Sequence, residues 1–175
     1  MNEKAPRFHK PELLAPAGDP EKLSAALRFG ADAVYVGGSR FGLRAAAGNF
    51  TVEQLKDACA RAHAAGKKIY LTLNAYLVPE DFPVLENCLE ELRPLSTDAY
   101  IVSDPGLIAT VRALDPQRPL HLSTQVNTLN AAAAAFWGQH GISRVNLGRE
   151  LTLAQIAAIR KQCALELEVF VHGAM

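Results

Sequence analysis

Polar side chains recur just past the ends of apolar runs in this sequence. Asn74 follows KIYLTL, Ser103 follows DAYIV, Gln125 and Asn127 follow LHLS, Arg149 and Glu150 follow RVNLG, and His172 follows EVFV. If each run is a buried strand of a parallel sheet, these side chains meet on one rim, because α/β proteins collect their chemistry at the carboxyl ends of strands. His172 is the leading catalytic candidate, since an imidazole exchanges protons near neutral pH. Arg149 and Glu150 join it as charged rim groups, equally readable as an ion pair with no role. Asn74, Ser103, Gln125 and Asn127 supply amide and hydroxyl groups that either hold a ligand or satisfy turn backbone. The segment GSRFGLRAAAGNF from Gly38 to Phe50 carries Arg40 and Arg44. Their guanidinium forks suit a phosphate or carboxylate ligand, and a plain solvated loop is the competing reading.

Other chemistries find no support. Only Glu150 and Asp104 are acidic among the strand-end residues, and Asp104 is needed as a helix cap, so a glycosidase carboxylate pair is not expected. There is no Walker loop, no GxGxxG after a strand, no GxSxG elbow and no HExxH helix. His9, His63, His121 and His140 are scattered, and Cys59, Cys88 and Cys163 are isolated within helical patterns. The expectation is no metal site in these residues and buried or half-buried thiols without a redox role.

The elements that must position the rim follow one repeated phrase. Leu13 to Ala15 is a short apolar run. Asp19-Pro20 then opens a helix to about Phe29, with Asp as cap and Pro where no N–H is required. Gly30 ends the helix and Asp32 to Val36 reads as a strand. Thr51 with Gln54 forms a capping box for a helix to Ala65, Gly66 ends it, and Lys68 to Leu73 is the next strand. A helix from Asp81 to Arg93, a strand from Asp98 to Val102, and a helix from Pro105 to Ala113 follow. Leu120 to Ser123 is a strand, Thr128 to His140 a helix stopped by Gly141, and Arg144 to Leu147 a strand. Thr152 with Gln155 starts a helix to Cys163, and Glu166 to Val171 reads as a buried strand.

Short strands alternating with amphipathic helices at about 25 residues per unit indicate βαβ units on a parallel sheet. A doubly wound sheet accommodates this pattern, but the even spacing favours a TIM-barrel-like (βα) barrel. Seven strands are expected and a barrel needs eight. The eighth would come from Arg7 to Lys10 or from beyond Met175, so one barrel domain, truncated before its end, is the expected organisation.

The totals agree with an ordinary globular domain. Hydrophobic residues make up 49% of the 175, enough for one real core. The 18 basic and 18 acidic residues cancel, so no overall positive field draws the chain to nucleic acid or an anionic membrane. No window approaches the ~18 apolar residues of a membrane span, and MNEKAPRFHK has no apolar leader core. The expected location is the cytoplasm.

Six phrases together resemble the N-terminal part of the peptidase U32 family, once labelled collagenase-like proteases. They are ELLAPAGDPEKL at Glu12 to Leu23, GADAVYVGG at Gly30 to Gly38, FGLRAAAGNF at Phe41 to Phe50, SDPGLI at Ser103 to Ile108, GRELTLAQI at Gly148 to Ile156 and EVFVHGAM at Glu168 to Met175. In the family the last phrase is followed by cysteines that resemble iron–sulfur ligands. Similar members are associated with oxygen-independent hydroxylation of tRNA or ribosomal RNA bases, with prephenate as co-substrate, and with a related step of ubiquinone synthesis. SDPGLI and RELTL look closest to the tRNA and ribosomal RNA branch.

The resemblance therefore implies the N-terminal barrel of an RNA base hydroxylase, cut before a cysteine-rich part. It further implies an iron–sulfur cluster and prephenate in the full-length protein, and RNA as partner. Arg40 and Arg44 would hold an anion; Asn74, Ser103, Gln125, Asn127 and Arg149 would line the pocket; His172 would act as acid/base or stand beside the cluster. A peptidase and a non-catalytic scaffold are the alternatives. The open strand edges would favour self-association of the chain.

Overall fold

In a computed structural model, which describes residues 10–42 and 49–173, strands alternate with α-helices, and short 3-10 helices at Pro79–Asp81 and Thr124–Val126 precede two of them. The first half contains β1 (Leu14–Pro16), α1 (Pro20–Arg28), β2 (Ala33–Gly37), α2 (Val52–Ala64), β3 (Lys68–Leu73) and α3 (Phe82–Leu92). The second contains β4 (Ala99–Val102), α4 (Pro105–Leu114), β5 (Leu120–Leu122), α5 (Ala131–Gln139), β6 (Ile142–Asn146), α6 (Leu153–Gln162) and β7 (Glu166–Glu168). All pairings are parallel and the spatial order equals the chain order, so each strand lies beside its predecessor. That order with helical crossovers is the TIM-barrel winding, and the sheet curls into a half-barrel.

Local side chains set the helix starts. The Asp19 carboxylate accepts from the N–H groups of Glu21 at 3.0 Å and Lys22 at 2.8 Å, and Asp104 accepts from Leu107 at 2.9 Å. Each removes an unpaired donor from a first turn, and Pro20 and Pro105 have none to leave unpaired. Both expected capping boxes form: the Thr51 N–H donates to Gln54 Oε1 at 2.9 Å and the Thr152 N–H to Gln155 Oε1 at 2.8 Å. The chain leaves α2 and α5 through Gly66 and Gly141 at φ 66° and 84°, a region where a Cβ is strained.

Two boundaries differ from the sequence reading. Helix α5 starts at Ala131, not Thr128, because Asn127 is left-handed (φ 52°) and Asn130 takes the cap, accepting from Ala133 N–H at 2.8 Å. Strand β7 ends at Glu168, not Val171. Its partner β6 offers pairing only to Asn146, with a last bond from the Leu147 N–H to the Glu168 carbonyl at 2.9 Å. Val169 and Val171 are left exposed.

The strands are two-faced. Val34, Ile69, Leu71, Val102, Leu122 and Val145 point outward and form the main core under the helices. Ala33, Tyr70, Ala99 and Ile101, joined by Leu14 and Tyr35, form a smaller inner cluster. Beside it the interior is polar. β1 and β7 are the sheet edges and do not pair with each other among the described residues. Of the segment considered as an eighth strand, Lys10 forms no strand and its amine bonds Asp32 at 2.9 Å, while residues 7 to 9 lie outside the described residues. No helix among the described residues is long and apolar enough to cross a membrane.

Candidate functional site

A cavity of about 830 Å³ opens where the strands end. Each strand contributes its last inward residues, which is why side chains far apart in sequence meet there. The wall from β3 to β5 is a fixed amide network. Asn74 Nδ2 donates to Gln125 Oε1 at 2.6 Å, Gln125 Nε2 returns a bond to the Asn74 carbonyl at 3.1 Å, and the Ser123 hydroxyl donates to Gln125 Oε1 at 3.1 Å. The Gln125 amide is thereby held in one orientation. Tyr35 and Phe170 add aromatic faces and Ile101 an apolar one. At the mouth the Arg149 guanidinium lies 4.3 Å from the Phe170 ring centroid, a cation–π contact. Lys22 stands on the other side, its amine 2.6 Å from Asp19.

Gly37 matters to this cavity. A Cβ there would come within 2.9 Å of Asn49 Oδ1 and 3.4 Å of Thr72 Oγ1, so only a glycine lets those polar groups approach the strand end. Gly148 is needed for packing instead, because a Cβ would strike the Leu129 side chain.

The floor descends into a charged interior. Arg144 donates from Nη1 to Glu12 at 2.7 Å and from Nε to Glu166 at 2.8 Å, and its guanidinium lies 5.2 Å from the Tyr70 ring centroid. Tyr70 donates its hydroxyl to Glu12 at 2.7 Å, and the Lys68 amine bonds Glu12 at 2.9 Å. Burial alone would raise the Glu12 carboxyl, but the bonds from Arg144, Lys68 and Tyr70 outweigh it and hold it at about 2. His121 packs edge-on against Tyr70, and burial, helped by Arg144, pushes its imidazole down to about 3. It is neutral and cannot serve as a proton carrier at ordinary pH. Glu168 lies at the top of this network, and burial pushes its carboxyl upward.

Of the residues singled out from sequence, Asn74, Gln125 and Arg149 line the cavity. Ser103 supports it from behind, donating to the Asn74 carbonyl at 3.4 Å. Asn127 and Glu150 are exposed and flank Gly148, and His172 is exposed beyond the lining. Arg40 faces a separate cleft of about 220 Å³ on the outer side of the sheet, beside Cys88 and Glu91. Arg44 lies outside the described residues.

Residues missed by the reading include Tyr35, Thr72, Ile101, Asn146 and Glu168 within strands, and Lys22, Ser123 and Phe170 outside them. For the strand residues the period-2 alternation that puts them inward was the available signal. Among the described residues no group of three or more His, Cys, Asp or Glu is arranged to hold a metal ion.

The chain is 45% identical over 170 residues to tRNA hydroxylation protein P of Escherichia coli K12, covering 95% of this chain and 37% of that protein. It is 42% identical over 175 residues to tRNA hydroxylation protein P1 of Bacillus subtilis 168, covering all of this chain and 42% of that protein. It thus spans about two fifths of the length of these relatives. The solved structure of the U32 peptidase Mk0906 superposes with a TM-score of 0.73 at 18% identity, over 97% of this chain and 73% of that one, which supports the barrel fold. The model of peptidase family U32 matches residues 18–175, and the chain belongs to that family.

Proposed function

We propose that this chain forms the substrate-holding barrel of an enzyme that hydroxylates a base of tRNA or ribosomal RNA. The observation that carries the reading is the cavity at the strand ends. It is nucleotide-sized, walled by oriented amides and aromatic rings, with Arg149 at its mouth. Aromatic faces suit a base, fixed amides suit its polar edge, and cations at the mouth suit the flanking phosphates. The names of the two tRNA hydroxylation relatives point the same way.

The peptidase reading lacks a comparable observation. Among the described residues no histidine lines the cavity, and the Ser123 hydroxyl is committed to Gln125 rather than to a base.

An iron–sulfur cluster and prephenate belong to the proposal as the agents of hydroxylation. The described residues do not fit a cluster: Cys59 and Cys163 are buried and Cys88 is half-buried, each on a different helix or its end, and none lines the cavity. The cluster's ligands would therefore come from outside these residues. Prephenate is a dianion, and Arg149 places positive charge where it would enter, whereas the Lys22 amine is paired with Asp19.

Deleting the gene and profiling nucleosides from tRNA and ribosomal RNA by mass spectrometry tests the reading. One hydroxylated nucleoside should disappear and return on complementation. An unchanged profile in both RNA pools overturns it.

A further inference from the structure

Glu168 ends β7 on the inner face, with 19% of its side chain exposed, and lines the cavity. Of the three carboxylates around Arg144 it is the least neutralised. The guanidinium is spent on Glu12 at 2.7 Å and on Glu166 at 2.6 and 2.8 Å, and stands 3.8 Å from Glu168 Oε2. Glu168 Oε1 accepts from Asn146 Nδ2 at 2.9 Å. Asn146 Oδ1 is buried with no partner among the described residues. A carboxylate oxygen and an amide oxygen thus lie together at the cavity floor without a good donor. An acceptor left this way costs free energy that a donor would recover.

The charge pattern sets which end of a ligand goes in. Glu168 at the floor repels phosphate or carboxylate, whereas Arg149 at the mouth attracts them. An anionic ligand must therefore enter with its uncharged, N–H-bearing end first and leave its anionic end outside.

We propose that Asn146 and Glu168 are the specificity pair of this cavity: Glu168, held in place by Asn146, accepts a hydrogen bond from the single ring N–H of a uracil-type base. The inference rests on the RNA-base reading above. Tyr35 and Phe170 would flank the ring, and the Asn74–Gln125 network would bound its other edge.

The test compares uridine 5′-monophosphate with its N3-methyl analogue, which lacks the donor, by calorimetric titration of the natural-length protein. The wild type should bind the methylated nucleotide about tenfold more weakly, the worth of one hydrogen bond to a charged acceptor. Glu168→Leu and, separately, Asn146→Ala should bring the two nucleotides within about twofold of each other. Thermal melting reports whether each variant is folded, and if one is not, the other decides. Equal wild-type affinity for both nucleotides, binding of neither, or full discrimination kept by a folded variant overturns the proposal. If those results accompany a lost hydroxylated nucleoside in the deletion strain, the RNA reading stands and only the role of the pair falls.

Discussion

Arg144 on β6 bonds Glu12, which precedes β1, at 2.7 Å across 132 residues of sequence. The bond joins the two sides of the barrel that no strand pairing joins among the described residues. Arg144 is 9% exposed, so removing it leaves Glu12 with only Lys68 and Tyr70 and takes away the guanidinium beside the largely buried Glu168. Arg144→Met should cost about 3 kcal/mol of stability, whereas Glu12→Gln, which keeps a hydrogen-bonding oxygen, should cost less. Denaturant midpoints of the two variants check the ranking.

Acid should destabilise the protein through His121. The imidazole takes up a proton near 6.5 when unfolded but only near 3 when folded, so the unfolded state binds more protons between those values and stability falls as pH drops through them. The slope is about 1.4 kcal/mol per pH unit while the two states differ by one proton. Glu12 acts in the same direction, its stabilising bonds being lost as pH falls from the ordinary carboxylate range towards about 2. His121→Phe should flatten the acid limb between pH 6.5 and 4, and a limb parallel to wild type would rule this out.

Gly141 combines a φ of 84° with a close neighbour, since a Cβ there would lie 2.8 Å from Arg112 Nε. Gly141→Ala should destabilise by about 1–2 kcal/mol from the backbone strain alone. The shift in melting temperature measures it.

The Arg149 guanidinium rests on the Phe170 ring. Under the proposed function, Arg149→Lys keeps the charge and loses the planar stack, and should lower cellular hydroxylation by about three- to tenfold. Quantifying the modified nucleoside in a complemented deletion strain gives the number; wild-type levels would show that charge alone suffices.

Features set by a few adjacent residues were readable in the sequence. Asp19-Pro20, Asp104-Pro105 and the two Thr/Gln boxes start helices as expected, since capping is a contact between near neighbours. Strand order and alternation were readable for the same reason. The extent of β7 was not, because a strand lasts only as long as its partner, and β6 stops at Asn146. That shortfall leaves His172 four residues past the strand end and exposed. Attention to residues after the strands found Asn74 and Gln125 but passed over Tyr35, Asn146 and Glu168 within them. In ELE and RVN the polar residues alternate with Leu167 and Val145 and share the inner face, a pattern that is legible once the barrel is curled.

The agreement of spatial order with chain order also bears on how the molecule is made. Each strand pairs with the one synthesised just before it, so every new βα unit finds its partner already present. Assembly can proceed stepwise as the chain leaves the ribosome, with short loops to close at each step. The Glu12–Arg144 bond spans the greatest sequence separation of the bonds that skip neighbouring strands. It waits until β6 emerges and then ties the first strand's side of the half-barrel to the sixth strand's.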